Sequence, residues 1–308
     1  MKLVNELFEG DILETQFLIA SSNKCVNNLG SYYFNLELKD MTGSIAGKKW
    51  EAKPEDDNIY VAGNIIQARV EILKYKEALQ CKIVSARLVS KDEIDVTRFI
   101  KNAPRSKEEL ISRLDYYICS IKDMDCRKIV NYFINKDKEK IYIYPAASSI
   151  HHEYASGLLM HTVSMLEIGE FIEKKYPDIN HDLLMSGIIL HDLGKTIELE
   201  GDIVYKYSLE GRLLGHISIM AAEIRMAADK LHIQSDVPLL LEHIVLSHHG
   251  ELEYGSPVRP LTREAFLVNL IDNLDSKMTI ITKALEDVEK GEFSQKIFAL
   301  DNRCFYKN

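Results

Sequence analysis

Long apolar runs are missing from this chain of 308 residues, and so is any paired-cysteine motif. No stretch approaches the roughly 18 consecutive apolar residues of a membrane-spanning helix, which argues against a membrane protein. Residues Met1–Gly10 carry Glu6 and Glu9 where a secretory leader needs an apolar core, so a cytoplasmic protein is expected. The five cysteines (Cys25, Cys81, Cys119, Cys126 and Cys304) are scattered without C-x-x-C spacing. That pattern speaks against a disulfide frame or a thiolate zinc site and fits reduced thiols. Basic residues are in deficit as well, with 38 Lys and Arg against 47 Asp and Glu, a net charge of −9. Broad binding to duplex nucleic acid rests on a basic surface, so tight duplex binding is disfavoured. A local basic path stays open, because a metal site itself concentrates acidic residues. No internal repeat or low-complexity tract appears.

What is present is 46% hydrophobic and 28% charged residues, the composition of an ordinary globular protein with one large or two moderate domains. Up to about residue 90, apolar residues alternate. Leu13, Thr15, Phe17 and Ile19 form one set, and Tyr32, Phe34, Leu36 and Leu38 a second. Ile66, Ala68, Val70 and Ile72 form a third, followed by Leu79, Cys81 and Ile83. Period two predicts half-buried strands, and the turn signals Asn27–Gly30, Asp40–Gly43 and Ala62–Asn64 separate them. Several short strands within 1–90 predict a small closed barrel.

From residue 91 the composition becomes charged and helical. Residues 91–147 read as a helical linker or docking region, with Ser106 as an N-cap before Glu108 and Glu109. Helices are expected over Leu110–Lys122 and Cys126–Ile134, and Ile141–Pro145 reads as a short apolar segment against the next domain. Residues 148–290 read as an all-α domain carrying the chemistry, and 291–308 as a tail without readable chemistry.

That chemistry centres on His191-Asp192, inside L-L-M-S-G-I-I-L-H-D-L-G-K (Leu183–Lys195). Leu184, Gly187, Ile188 and His191 recur at helical spacing, so His191 closes an inward stripe, and Gly194 offers a helix stop. An ionised Asp beside a buried stripe is costly unless paired, and a divalent cation is the simplest partner. Further donors punctuate other apolar helical runs: His161 in G-L-L-M-H-T-V, His216 in L-L-G-H, His248-His249 in V-L-S-H-H-G, and Asp272 in L-I-D-N-L-D. Imidazole and carboxylate suit first-row divalent ions. Asp275, one turn after Asp272, reads as a residue that orients a ligand. Gly250, Gly255 and Pro257 shape a tight loop over His248–Pro260, where Arg259 is a candidate phosphate contact. His151, His152, His181, His232 and His243 fall outside the pattern.

The order H…HD…H…HH…D resembles the HD-domain metal-dependent phosphohydrolases. That resemblance implies His161, His191, Asp192 and Asp272 as core ligands. It implies His216, His248 and His249 as the extended set of dinuclear members, in which the Asp of the HD pair bridges two ions. Paired ions about 3.5–4 Å apart lower the pKa of a shared water and offset phosphate charge. Mn²⁺ is the first candidate, with Co²⁺, Fe²⁺ or Zn²⁺ compatible. Lys195 stands where HD phosphohydrolases commonly carry a basic residue for phosphate.

At the other end, F-N-L-E-L-K-D-M-T-G-S-I-A-G-K-K-W (Phe34–Trp50) resembles the strand-turn-strand of OB-fold nucleic-acid-binding domains. Tyr33, Asn35, Lys48, Lys49 and Trp50 then become candidates to stack bases and follow phosphates, with Trp50 and Tyr32 as core residues the competing reading. The OB segment, the H-D-L-G-K motif, the S-H-H-G loop and D-N-L-D together resemble the YhaM-type 3′-to-5′ exoribonucleases over nearly the whole chain. The resemblance implies a metal-dependent exonuclease of single-stranded RNA, with single-stranded DNA a second substrate, Asp192 and Lys195 catalytic, and the OB domain feeding the strand. The rival readings are an HD hydrolase of nucleotides or cyclic nucleotides with a regulatory OB domain, and a non-catalytic single-strand-binding adaptor. The missing G-Y-P signature argues against the cyclic-dinucleotide branch. Self-association into a homo-oligomer stays open, with no motif behind it.

Overall fold

The computed structural model describes residues 1–308 except 77, 96–97, 100, 103–104, 145–153, 202–204 and 287. His151, His152 and the expected domain start at Ser148 therefore lie outside the described residues. Two compact units form, Met1–Asn102 in the first and the helices from Lys107 onward in the second.

The first unit is a closed barrel of β1 (Ile12–Val26), β2 (Tyr32–Asp40), β3 (Gly43–Lys49), β4 (Ile65–Tyr75) and β5 (Ala78–Leu88), in the order β1-β2-β3-β5-β4. A single helical turn, α1 (Asp56–Ile59), joins β3 to β4. Closure depends on the length of β1. Its first half pairs with β4 and its second half with β2, and a register shift between Ile19 and Ser21 bends it between the two. A parallel pairing of β3 with β5 completes the ring. This five-stranded Greek-key barrel is an OB fold. The core is the alternating set expected from the sequence, Phe17, Ile19, Phe34, Leu36, Leu38, Ile66, Ala68, Val70, Ile72, Cys81 and Ile83. Tyr32 departs from it. Standing at the first position of β2, it is 53% exposed and lies under the Lys24 ammonium instead of in the core.

In the second unit α2 (Lys107–Ser120) starts at Ser106, whose Oγ accepts from Glu109 N as expected of an N-cap. Next comes α3 (Met124–Ile143), capped by Asp123 and kinked at Asp137. The segment Ile141–Ile143 is therefore the last turn of a helix and not a separate apolar strand-like piece. Its β-branched and aromatic residues cost at most about 0.7 kcal/mol each in helix propensity. Burying Ile141 and Tyr142 returns about 1.5–3 kcal/mol per side chain, so packing overrides propensity. Both helices pack on α4 (Gly157–Glu173) and α5 (His181–Leu190), inside the helical unit.

Helix α5 is the axis of this unit. Leu184 through Leu190 are all buried, and α5 touches α4, α8 (Val237–Ser247) and α9 (Arg263–Glu286). Between α5 and α8 run the short α6 (Lys195–Glu198) and the long α7 (Leu209–Lys230). The tail folds back on itself through the antiparallel bridges Phe293–Tyr306 and Ile297–Arg303. Among the described residues no helix is long and apolar enough to cross a membrane.

Gly194 follows the end of α5, as expected of a helix stop, but its φ of −56° and ψ of −22° are right-handed, so no left-handed turn calls for glycine there. The residue is small because α7 passes against it: a Cβ there would lie 2.2 Å from the carbonyl oxygen of His216. Backbone cannot swing aside as a side-chain tip can. Gly194→Ala should therefore destabilise the protein by about 1–3 kcal/mol, the usual cost of overpacking. A lowered urea midpoint at unchanged slope is the expected result; an unchanged midpoint would mean that the turn and α7 part freely.

Candidate metal centre

Two of the candidate ligands end their helices in the same way. His191 is the C-cap of α5 and His248 the C-cap of α8. Each folds its ring back so that Nδ1–H donates to the carbonyl three residues earlier, Ile188 and Val245, both at 2.7 Å. The last carbonyls of a helix lack intrahelical partners, so these bonds satisfy the helix ends. They also fix the tautomer and turn both Nε2 atoms inward. His249 does likewise on the following loop, donating Nδ1–H to Tyr254 O at 2.7 Å, while its backbone N–H donates to Ser256 Oγ at 3.0 Å. A positive φ of 97° at Gly255 lets this loop turn.

Asp192 lies between the imidazoles, 3% exposed. Its Oδ2 faces His191 Nε2 at 3.4 Å and His161 Nε2 at 3.9 Å. Its Oδ1 faces His216 Nε2 at 3.4 Å and His248 Nε2 at 3.9 Å. From α9, Asp272 Oδ1 comes within 3.2 Å of His161 Nε2. Donor atoms gather into two groups, one of His161, His191 and Asp192 and one of His216, His248 and His249. Four buried atoms, His191 Nε2, His216 Nε2, His248 Nε2 and Asp192 Oδ1, have no hydrogen-bond partner. Buried polar atoms are rarely left so. Unpaired lone pairs converging from N and O donors are what a divalent cation takes up, so the residues present fit a metal ion.

The electrostatics of both carboxylates, His248 and His249 agree with that fit, and those of His161 show how strongly the carboxylates around it attract a cation. Burial opposes the charge on Asp192, but Lys195 and His191 outweigh it and hold the carboxyl well below its usual range. Lys195 is buried too, and the pull of Asp192, 2.7 Å from its Nζ, raises its pKa. Burial also opposes Asp272, yet the hydrogen bond with His161 brings it to about 2. Burial would lower His161, and the carboxylates of Asp272 and Asp275 instead raise it to about 9. His248 is pushed well below its usual value by burial and by the neighbouring His191 and His249; burial also lowers His249. Neutral imidazoles can ligate.

All seven candidate donors named from the sequence thus meet in one place, with Lys195 beside the shared carboxylate. Asp275 supports them as read: its Oδ2 accepts from His161 Nδ1 at 2.7 Å and its Oδ1 from the Ser164 hydroxyl. Arg259 is not brought in. It pairs with Glu251 across its own loop at 2.8 Å, and among the described residues no contact ties it to the cluster. His181 bonds to Ser120 and Glu173, and His243 accepts from Leu261 N. Sequence reasoning missed Glu198, whose Oε1 accepts from both the backbone N–H and the Nδ1–H of His216, at 3.0 and 3.1 Å. On the barrel, Tyr33 and Trp50 stack with ring centroids 4.8 Å apart and Lys48 over both rings. Trp50 follows the last residue of β3 and is 40% exposed, a surface residue and not core. Asn35 is exposed and Lys49 half-buried on neighbouring positions of the β2–β3 ladder.

A model of the HD domain matches residues 158–277, the span that holds all seven donors, so this part of the helical unit is an HD domain. Over 299 residues the chain is 43% identical to the 3′-5′ exoribonuclease YhaM of Geobacillus sp. (strain WCH70), covering 97% of this chain and 92% of that protein. The chain belongs to the YhaM family. The barrel is similar to the second OB-fold domain of replication protein A from Methanococcus maripaludis, at 19% identity over 29% of this chain and 93% of that one, with a TM-score of 0.24. It is also similar to the OB domain of Ta0387 from Thermoplasma acidophilum, at 10% identity over 31% of this chain and 81% of that one, with a TM-score of 0.21. The OB assignment rests on the strand order and not on these likenesses.

Asp275 tests the arrangement without any donor being replaced. Asp275→Ala should weaken Mn²⁺ binding by about 10–100-fold, as loss of a ligand's hydrogen-bonded support does. Calorimetric titration of the metal-stripped protein measures it. Unchanged affinity would show that His161 needs no carboxylate to hold its ring.

Proposed function

We propose that this chain is a metal-dependent 3′-to-5′ exoribonuclease acting on single-stranded RNA, with single-stranded DNA a second substrate. The observation that carries this reading is the 43% identity, along 97% of the chain, to a protein named a 3′-5′ exoribonuclease. The donor set supports a hydrolytic reaction. Two divalent cations, Mn²⁺ first among the candidates, would be held by His161, His191, Asp192 and Asp272 on one side and by Asp192, His216, His248 and His249 on the other. When bound, such a pair activates water and offsets the charge of a phosphodiester. Asp192 serves both halves, because its two oxygens face different imidazoles. Lys195, a compact cation at the rim of that carboxylate, would balance the phosphate. Arg259, 72% exposed on its loop, would reach a phosphate only by leaving Glu251.

The OB unit would guide the strand. Its stacked Tyr33–Trp50 pair under Lys48 supports that role, since aromatic faces accept any base and a neighbouring cation follows the backbone. Asn35 and Lys49 flank the pair and would add polar contacts.

With 5′-labelled single-stranded RNA and Mn²⁺, the wild-type protein should give a descending ladder. Asp192→Asn, close to isosteric, should slow it by more than the roughly 100-fold that loss of a supporting residue costs. An intact strand with wild type, alongside hydrolysis of free nucleotides, would overturn the nuclease reading. Trp50→Ala should weaken binding of a long strand by about 1–3 kcal/mol, or about 5–150-fold in Kd, while leaving dinucleotide cleavage unchanged. Equal loss on both substrates would make the stack structural.

A further inference from the structure

One imidazole of the second group, His216, is held by a means that no other donor shares, and the difference lies in a break in α7. Gly215 has φ 71° and ψ 154°, which interrupts the helix immediately before His216. In an unbroken helix the His216 N–H would donate to the carbonyl four residues earlier. Here it donates to Glu198 Oε1 at 3.0 Å instead, and the same oxygen receives the imidazole Nδ1–H at 3.1 Å. One carboxylate oxygen thus caps the resumed helix and orients its first side chain. A negative group suits that place twice, as an acceptor for an exposed N–H and as a charge at a helix N-terminus.

Glu198 is itself fixed. Its side chain is 11% exposed, and its carbonyl accepts from Ser208 N at 2.9 Å. A Cβ at Gly211 would lie 2.2 Å from that carbonyl oxygen, so the start of α7 rests directly on the end of α6. By contrast, His191 and His248 are held by carbonyls of their own helices, and His161 by Asp275 of α9. His216 alone among the seven donors depends on Glu198.

We infer that Glu198 is the positioning residue for the second cation, the one His216, His248 and His249 would share with Asp192, and that it is dispensable for the first. This rests on the two-cation reading above. Glu198 would act through His216, by fixing the orientation of its ring.

The test uses the full chain, stripped of metal and titrated with Mn²⁺ alone. Bound metal is counted by mass spectrometry after desalting, and electron paramagnetic resonance separates an exchange-coupled pair from single ions. Wild type should hold two coupled ions. Glu198→Ala should keep one, with an uncoupled signal, and bind the second about 10–100-fold more weakly. Glu198→Gln keeps an acceptor oxygen and should restore two coupled ions at reduced affinity. Two coupled ions of wild-type affinity in Glu198→Ala would overturn the proposal. So would equal loss of both ions together with a lowered unfolding midpoint in both variants, which would make Glu198 a general structural residue. A single ion in wild type would overturn the two-cation reading itself, and that result is visible before any variant is examined.

Discussion

The helical unit depends on a carboxylate that is expensive to bury. Asp192 sits at the end of α5, the helix with the most completely buried sequence in the domain, and carries its charge into that interior. An isolated ion there would be untenable. What makes it tenable is a ring of imidazoles from three other helices and Lys195 at one edge. Even so, one of its oxygens and three imidazole nitrogens remain without hydrogen-bond partners. The protein has concentrated unmet electrostatic demand at one point, and the packing of α4, α5, α7, α8 and α9 is what holds those groups together against their cost.

Much of this was legible in the sequence, for a definite reason. Each of the seven donors ends or interrupts an apolar helical run, and a polar residue in such a place stands out against its neighbours. The barrel was legible for a similar reason, because period-two alternation survives in β2 to β5, although Thr15–Ala20 of β1 are buried without a break. The losses have physical causes too. Ile141–Ile143 was read as a short apolar segment apart from the helix before it, because three residues are too few to show a helical period, and burial decided their conformation. Tyr32 misled because strand periodicity says nothing about where a barrel wall ends. Glu198 had no signature at all. Its importance comes from a helix break at Gly215 and from a backbone N–H that the break releases, and neither is written in residue type. Arg259 was placed by loop proximity, which cannot tell that Glu251 lies closer.

The two units divide chemical labour along familiar physical lines. The barrel offers a surface pair of aromatics with a cation above them, on which the proposed strand would stack whatever its bases. The helical unit offers a rigid and highly specific geometry in its interior. Membership of the YhaM family joins these in one chain, and 43% identity along nearly all of it makes the combination a property of the family and not of either fold.

The way His191 and His248 terminate their helices reaches beyond ligand geometry. Because each Nδ1 is bonded to a carbonyl of its own last turn, ring orientation is tied to the helix end that carries it. Small zinc domains behave differently, folding only as metal arrives. At these two positions the bond that orients the ring comes from the polypeptide itself, so α5 and α8 each deliver an imidazole whose Nε2 already faces the centre.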